Sequence, residues 1–233
     1  NAAPAFQRNM EAMLSGLMWK KCVIYIDDII IFGGTFEEHL KNVEEVLDRM
    51  RRFNVMAKPS KCKFCQTEVT YLGHRVGKGK LKMDTYNVEK ILKMPMPGTL
   101  KEIRSFVCLV GYYRRFIKDF ATIAKPLTEL QNKEKCAKLG KREGTRKKFE
   151  LLEEAKRAVE ELKKRITEEP VMALPDFKKP FGMRTDASQY AIGGVLFQWD
   201  ETGNEHPIWY ASRVLKGPEK TWSASEREML GIY

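Results

Sequence analysis

The stretch Cys22-Val-Ile-Tyr-Ile26-Asp27-Asp28-Ile29-Ile-Ile-Phe32 constrains this chain more than any other. Two β-branched and aromatic runs flank a two-residue polar centre, which reads as a tight β-hairpin. An apolar hairpin of this kind has to be buried, and burial makes its tip rigid. Two adjacent carboxylates then stand exposed and close together at that tip. Hard oxygen donors in such a setting suit Mg²⁺, which keeps several waters and takes one or two carboxylates plus substrate phosphates. A pair of such ions can clamp the attacking and leaving oxygens of a phosphoryl transfer. Aspartate also tolerates hairpin turns for backbone reasons, so this pattern alone does not separate a metal site from turn chemistry.

Composition narrows the setting. At 233 residues the chain is long enough for one large domain or two small ones. A hydrophobic content of 43% with 16 Gly and 10 Pro excludes collagen-like and fully disordered classes. No apolar run approaches the ~20 residues of a membrane-spanning helix, and no secretory signal pattern is seen. Five cysteines (22, 62, 65, 108 and 136) in a chain this long do not make a disulfide framework and are expected to be reduced, intracellular thiols. Cys62-x-x-Cys65 with His74 downstream has ligand-like spacing, but no second pair completes a zinc quartet. The net charge of +11 favours an anionic partner such as nucleic acid, while remaining compatible with any basic protein.

Along the chain, Ala5 to Met18 carries Phe6, Met10, Met13, Leu14 and Leu17 at helical spacing. After the hairpin, Thr35-x-x-Glu38 is a capping box opening a helix with Phe36, Leu40, Val43, Leu47 and Met50 on its expected inner face. Lys61 to Lys82 reads as β-rich, and Pro95-Met-Pro-Gly98 as a turn. Thr99-x-x-Glu102 opens a helix with Leu100, Ile103, Phe106, Val107 and Val110 inward, and Pro126 is expected to redirect the chain. Lys133 to Lys148 holds eight basic against two acidic residues, with Gly140 and Gly144, and reads as a flexible basic linker. Leu151 to Ile166 is an amphipathic helix. Phe181–Thr185, Gly194–Trp199 and Ile208–Ser212 are strand candidates, with Asp200 to Gly203 as the second turn. Ser223-x-x-Glu226 and Ser225-x-x-Glu228 both signal a final helix. A strand meander followed by a helix is an α+β signature.

These pieces together resemble the Pol protein of gypsy-type LTR retrotransposons (metaviruses). Tyr25-Ile-Asp-Asp28 resembles the YxDD box of reverse transcriptases, and Asn1-Ala-Ala-Pro-Ala-Phe-Gln-Arg8 resembles the end of the preceding palm motif, its proline displaced by one position. Lys61-Cys62-x-Phe64, Tyr71-Leu-Gly-His-Arg-Val76, Gly111-Tyr-Tyr-Arg-Arg-Phe-Ile117 and Lys125-Pro-Leu127 follow in the family's order. The tail adds Thr185-Asp-Ala-Ser188, Ile192-Gly-Gly-Val-Leu196, Ser212-Arg-Val-Leu215 and Ser225-Glu-Arg-Glu228. Each motif is weak, but the ordered series is specific and covers nearly the whole chain.

The resemblance implies an α+β fold in which the C-terminal part of a polymerase palm and a helical thumb precede the first half of an RNase H-like mixed sheet. The segments would be palm (1–76), thumb (77–132), basic linker with connector helix (133–167) and truncated RNase H-like domain (168–233). Asp27 and Asp28 would be two of three polymerase metal ligands, and Asp186 and Glu228 the first two RNase H carboxylates, each site taking two Mg²⁺, or Mn²⁺. Glu226 competes with Glu228, but two residues apart they lie about 200° around a helix, so only one faces Asp186. Glu-Met-Leu-Gly-Ile after position 227 favours Glu228. Gln7, Tyr25, the primer grip residues Leu72, Gly73 and His74, and the thumb residues Tyr112, Tyr113, Arg114 and Arg115 would contact nucleic acid. For the thumb cluster, aromatics in the core and solvated arginines are the bland alternative.

Implied partners are RNA template, DNA primer, RNA–DNA hybrid, dNTP and other Gag and Pol parts, with no membrane, in the cytoplasm (virus-like particle) or nucleus. The chain departs from the family where Leu151 stands for the usual tryptophan. Both ends look cut: the first polymerase aspartate would precede Asn1, and the later RNase H aspartates would follow Tyr233. The isolated chain is therefore expected to be inactive, with β-strand Ile208–Ser212 bare at its edge and uncovered on its apolar face. A catalytically dead nucleic-acid-binding module, or the product of a decayed element, is the alternative.

Overall fold

The computed structural model describes residues 2–136, 151–168 and 170–233; most of the Lys133–Lys148 basic segment lies outside them. The fold is α+β, with helices packed around antiparallel sheets. Two compact units divide the chain, residues 1–72 and residues 73–233. The segments expected to be thumb, connector helix and RNase H-like strands thus share one unit.

In the first unit, α1 (Ala2–Met13) leads to the hairpin of β1 (Cys22–Tyr25) and β2 (Asp28–Ile31). Helix α2 (Phe36–Arg52) follows, then β3 (Glu68–Tyr71). The core gathers Met10, Met13, Leu14, Leu17, Cys22, Ile24, Val46 and Met50. Thr35 caps α2 through the Glu38 amide, 3.2 Å away, while the Glu38 carboxylate turns to the Gly34 amide at 2.7 Å. The inner face of α2 differs from the expected one. Asn42, Val46 and Met50 are buried, whereas Phe36, Leu40 and Leu47 are exposed, about a quarter turn away. Polar contacts set this rotation: Asn42 donates to the Phe32 carbonyl at 2.7 Å, and Arg49 to the Met13 carbonyl at 3.2 Å. Lys21 and Glu45 pair at 2.5 Å. Periodicity alone cannot register such bonds.

The second unit begins with β4 (His74–Gly77), β5 (Lys80–Met83) and helices α3 (Thr85–Lys93), α4 (Leu100–Gly111) and α5 (Phe120–Cys136). Helix α6 (Glu153–Thr167) and β6 (Met172–Ala173) follow; β6 returns to pair antiparallel with β5, Leu81 opposite Met172. Thr99 and Glu102 form a complete capping box, and Ile103, Phe106 and Val110 of α4 are fully buried. They meet Leu127 of α5 and Ala155, Val159, Leu162 and Ile166 of α6 in one core, in which Leu151 is also buried. Pro126 does not redirect the chain: it sits inside α5. The helix runs through it because Ala124 and Leu127, on either side, are anchored in that core, and packing outweighs one lost hydrogen bond.

The chain ends in a three-stranded antiparallel meander, β7 (Gly182–Ala187), β8 (Ala191–Trp199) and β9 (Glu205–Val214), followed by α7 (Ala224–Ile232). Within this meander β7 pairs antiparallel with β8, and β8 with β9. Gly182 is required where it stands, since a Cβ would lie 2.5 Å from the Phe197 ring. Strand β9 is an edge strand of this sheet, as expected, but its apolar face is covered. Ile208 is buried, Tyr210 packs on the main core, and the Ser212 hydroxyl accepts the Ala121 amide of α5 at 2.9 Å. Helix α5 covers the face expected to be open.

Candidate active sites

The hairpin turn is Ile26-Asp27, not Asp27-Asp28: Tyr25 and Asp28 are directly opposite each other as the last pair of the ladder. Ile26 has φ of 54°, a left-handed conformation that strongly disfavours β-branched residues. Its amide donates to the side-chain oxygen of Gln7, whose Nε2 donates in turn to Glu11 at 2.7 Å. Helix α1 therefore holds the strained turn from behind, which makes Gln7 a support of the turn. Asp27 and Asp28 are both exposed. Tyr71 stands within electrostatic reach of Asp28, and burial first, then Asp28 and Tyr25, pushes its phenol above the ordinary value. Tyr25 is half exposed at 51%. The hairpin thus presents two carboxylates flanked by two phenols, with a backbone conformation the surrounding structure has to enforce.

Asp27 and Asp28 form a hard-oxygen donor set that fits a divalent cation, and so do Asp186 and Glu228 in donor type. No cluster of three or more His, Cys, Asp or Glu able to hold a metal occurs among the described residues. Cys62 instead donates its thiol to the Lys58 carbonyl at 3.3 Å.

In the second unit, Gly73 and His74 join the thumb aromatics. The Tyr113 hydroxyl donates to the Gly73 carbonyl at 2.7 Å, and the His74 ring lies 5.3 Å from Tyr112, 5.6 Å from Tyr113 and 5.6 Å from Phe116. Tyr113 is only 1% exposed, so it is a core residue and has no face for a ligand. Arg115 is likewise turned inward: its guanidinium lies 4.3 Å over the Trp209 ring of β9, and burial lowers its pKa. Tyr112 and Arg114 remain exposed, as does Leu72. Sequence reasoning missed Trp209, whose role depends on a contact between residues far apart in the chain.

Asp186 is exposed on β7, opposite Gly193. Helix α7 packs against β7 and β8, and a Cβ at Gly231 would touch Thr185 at 3.4 Å. Glu226 is committed to the helix start: its carboxylate accepts the Ser223 amide at 2.7 Å and hydroxyl at 2.8 Å, bonds that hold it below the usual carboxylate range. Glu228 stands exposed on the same helix.

Residues 1–76 match the reverse transcriptase (RNA-dependent DNA polymerase) family, and residues 151–233 the RNase H-like domain found in reverse transcriptase. Over its whole length the chain is similar in sequence to the Pol polyproteins of gypsy-type transposons. It is 40% identical over 232 residues to the retrovirus-related Pol polyprotein from transposon 297 of Drosophila melanogaster, covering 100% of this chain and 20% of that protein. Identity to the corresponding proteins of transposons opus and gypsy from the same organism is 38% and 36%, again over 100% of this chain, and 23% and 22% of theirs. The chain thus spans about a fifth of the length of these relatives. In fold it is similar to the foamy viral protease-reverse transcriptase solved with double-stranded DNA (TM-score 0.84, 24% identity, covering 100% of this chain and 38% of that one). A second structure of that protein, with an RNA/DNA hybrid, gives a TM-score of 0.80 at 24% identity, covering 100% and 30%. Divalent metal use is general for both kinds of domain.

Proposed function

We propose that this chain supplies the lower palm, thumb and opening RNase H-like strands of an RNA-directed DNA polymerase with hybrid-specific ribonuclease activity. The observation that carries the reading is the hairpin tip: two exposed carboxylates beside a left-handed Ile26 that Gln7 holds in place. A turn kept strained by a dedicated side chain is better explained by presentation of Asp27 and Asp28 than by turn chemistry. Mg²⁺ at these carboxylates would supply Lewis-acid stabilisation of the transferring phosphoryl group. The chain's own part is to fix the carboxylates by the β1–β2 ladder, keep Tyr25 and Tyr71 beside them, and hold the Gly73–His74 turn on the thumb aromatics. Asp186 and Glu228 are assigned to RNA cleavage in the same way. RNA template, DNA primer, their hybrid and dNTP are the partners, alongside other Gag and Pol parts, in cytoplasmic particles or the nucleus. The exposed Tyr112 and Arg114 offer a stacking face and a phosphate contact.

The test is a chimera in which this chain replaces the matching segment of the transposon 297 Pol polyprotein. Asp27→Asn or Asp28→Asn should abolish primer extension by about 10³-fold or more while leaving primer-template affinity within about twofold, because a lost metal ligand acts on the transition state. Extension at the parental rate by either variant would refute the assignment.

A further inference from the structure

Between Asp186 and Glu228 lies a contact that neither carboxylate makes. Arg227, immediately before Glu228, sends its guanidinium from α7 to the Ser188 carbonyl at 3.0 Å, two residues beyond Asp186. The same side chain points its Nε back to the Ser223 carbonyl, the N-cap of its own helix, at 3.4 Å. Both ends of this bridge are independently fixed. At the strand end, the Ser188 hydroxyl accepts the Tyr190 amide at 3.2 Å and the Ala191 amide at 2.9 Å, and the Ser188 amide donates to the Ala191 carbonyl at 2.9 Å. At the helix end, Ser223 and Glu226 form a complete capping box. Arg227 is half-buried and has no carboxylate within ion-pair distance among the described residues.

We infer that Arg227 is a positioning residue for the Asp186–Glu228 pair, setting the height of α7 over the β7–β8 turn through its bond to the Ser188 carbonyl. This rests on the RNase H reading of those two carboxylates. The geometry explains why an arginine suits the place: its planar fork reaches the Ser188 and Ser223 carbonyls at once. The second fastening of α7, Gly231 against Thr185, lies one turn further on and controls the distance of the helix from the sheet. Arg227 then controls where along β7 the helix start sits. A ligand held by groups on two separate elements is sensitive to such a support, and outer contacts of this kind are worth about tenfold or more in metal affinity.

Mn²⁺ titration of the isotope-labelled 233-residue chain, read as paramagnetic broadening of the Ala187, Ser188 and Glu228 amides, tests this without any activity assay. Asp186→Asn and Glu228→Gln should abolish saturable broadening. Arg227→Ala should weaken Mn²⁺ binding about tenfold, and Arg227→Lys, which keeps the charge and one donor, should recover part of that loss. Should Arg227→Ala loosen α7 altogether, amide exchange along the helix reveals it, and the Lys variant, with the helix intact, decides. Wild-type affinity in both Arg227 variants, with the carboxylate variants inactive in binding, overturns the positioning role and leaves the carboxylate reading standing. Unchanged broadening in Asp186→Asn and Glu228→Gln overturns that reading, and the Arg227 inference with it.

Discussion

Arg114 is exposed, whereas its neighbour Arg115 stacks on Trp209 and has a buried Nε with no hydrogen-bond partner among the described residues. One arginine is available to a phosphate and the other is a piece of internal structure. Arg114→Ala should lower the slope of log affinity for duplex against log salt by about one phosphate contact. Arg115→Ala should leave that slope unchanged and reduce stability instead, by about 1–2 kcal/mol, the range of a partly desolvated cation–π contact. Binding at several salt concentrations and urea unfolding separate the two effects. Equal slope changes would return Arg115 to the nucleic-acid surface. Both residues occur in the same Tyr-Tyr-Arg-Arg motif, and nothing in that string says which one faces inward; the partner that decides it is 94 positions away in β9.

Helices α2, α4 and α7 start where their capping residues place them, and helix faces and continuity are decided by what they pack against. The Thr99–Glu102 box closes as the motif requires, and Ser223–Glu226 prevails over the overlapping Ser225–Glu228 signal. Thr99 is 7% exposed, so Thr99→Ala should cost about 1 kcal/mol through loss of its cap to the Glu102 amide. Pro126 makes the opposite case. Inside α5 it lacks the amide that would continue the helix, so Pro126→Ala should stabilise residues 73–233 by up to about 3 kcal/mol. Thermal unfolding of both variants checks these signs, and a destabilised Pro126→Ala would mean that the proline ring itself fills the core.

At the scale of the molecule, two separate cores lie in residues 1–72 and 73–233, and the second joins α4, α5, α6 and β9. Within the second unit, Lys156 holds the Glu153 carboxylate of α6 below its ordinary range, and three more lowered carboxylates lie between β8 and α7. The Asp200 carboxylate is lowered by hydrogen bonds first from His206, then from Thr202 and Asn204; Glu219 is lowered by Arg213, and Glu226 by Ser223. A folded-state pKa below the unfolded value gives stability that is present above the unfolded pKa of about 4 and is lost as pH falls through the folded one. Acidification from pH 5 to 3 should therefore lower amide protection in β9 and α7 before α4, whose core is apolar. Simultaneous loss in all three elements would show that these carboxylates do not govern the order.

The sequence by itself determined the hairpin, the Thr99 and Ser223 capping boxes and the meander, because those are carried by local spacing and turn chemistry. It also placed Asp27 and Asp28 at a hairpin tip, though one residue out of register, since the choice between Ile26-Asp27 and Asp27-Asp28 as the turn depends on the Gln7 contact and the strand ladder. Only the tertiary structure decided which side of α2 is buried, that Tyr113 belongs to the core, that Arg115 meets Trp209, and that α5 covers β9. Each of these joins residues far apart in sequence through a packing or hydrogen-bond geometry, and local periodicity carries no information about partners at that distance.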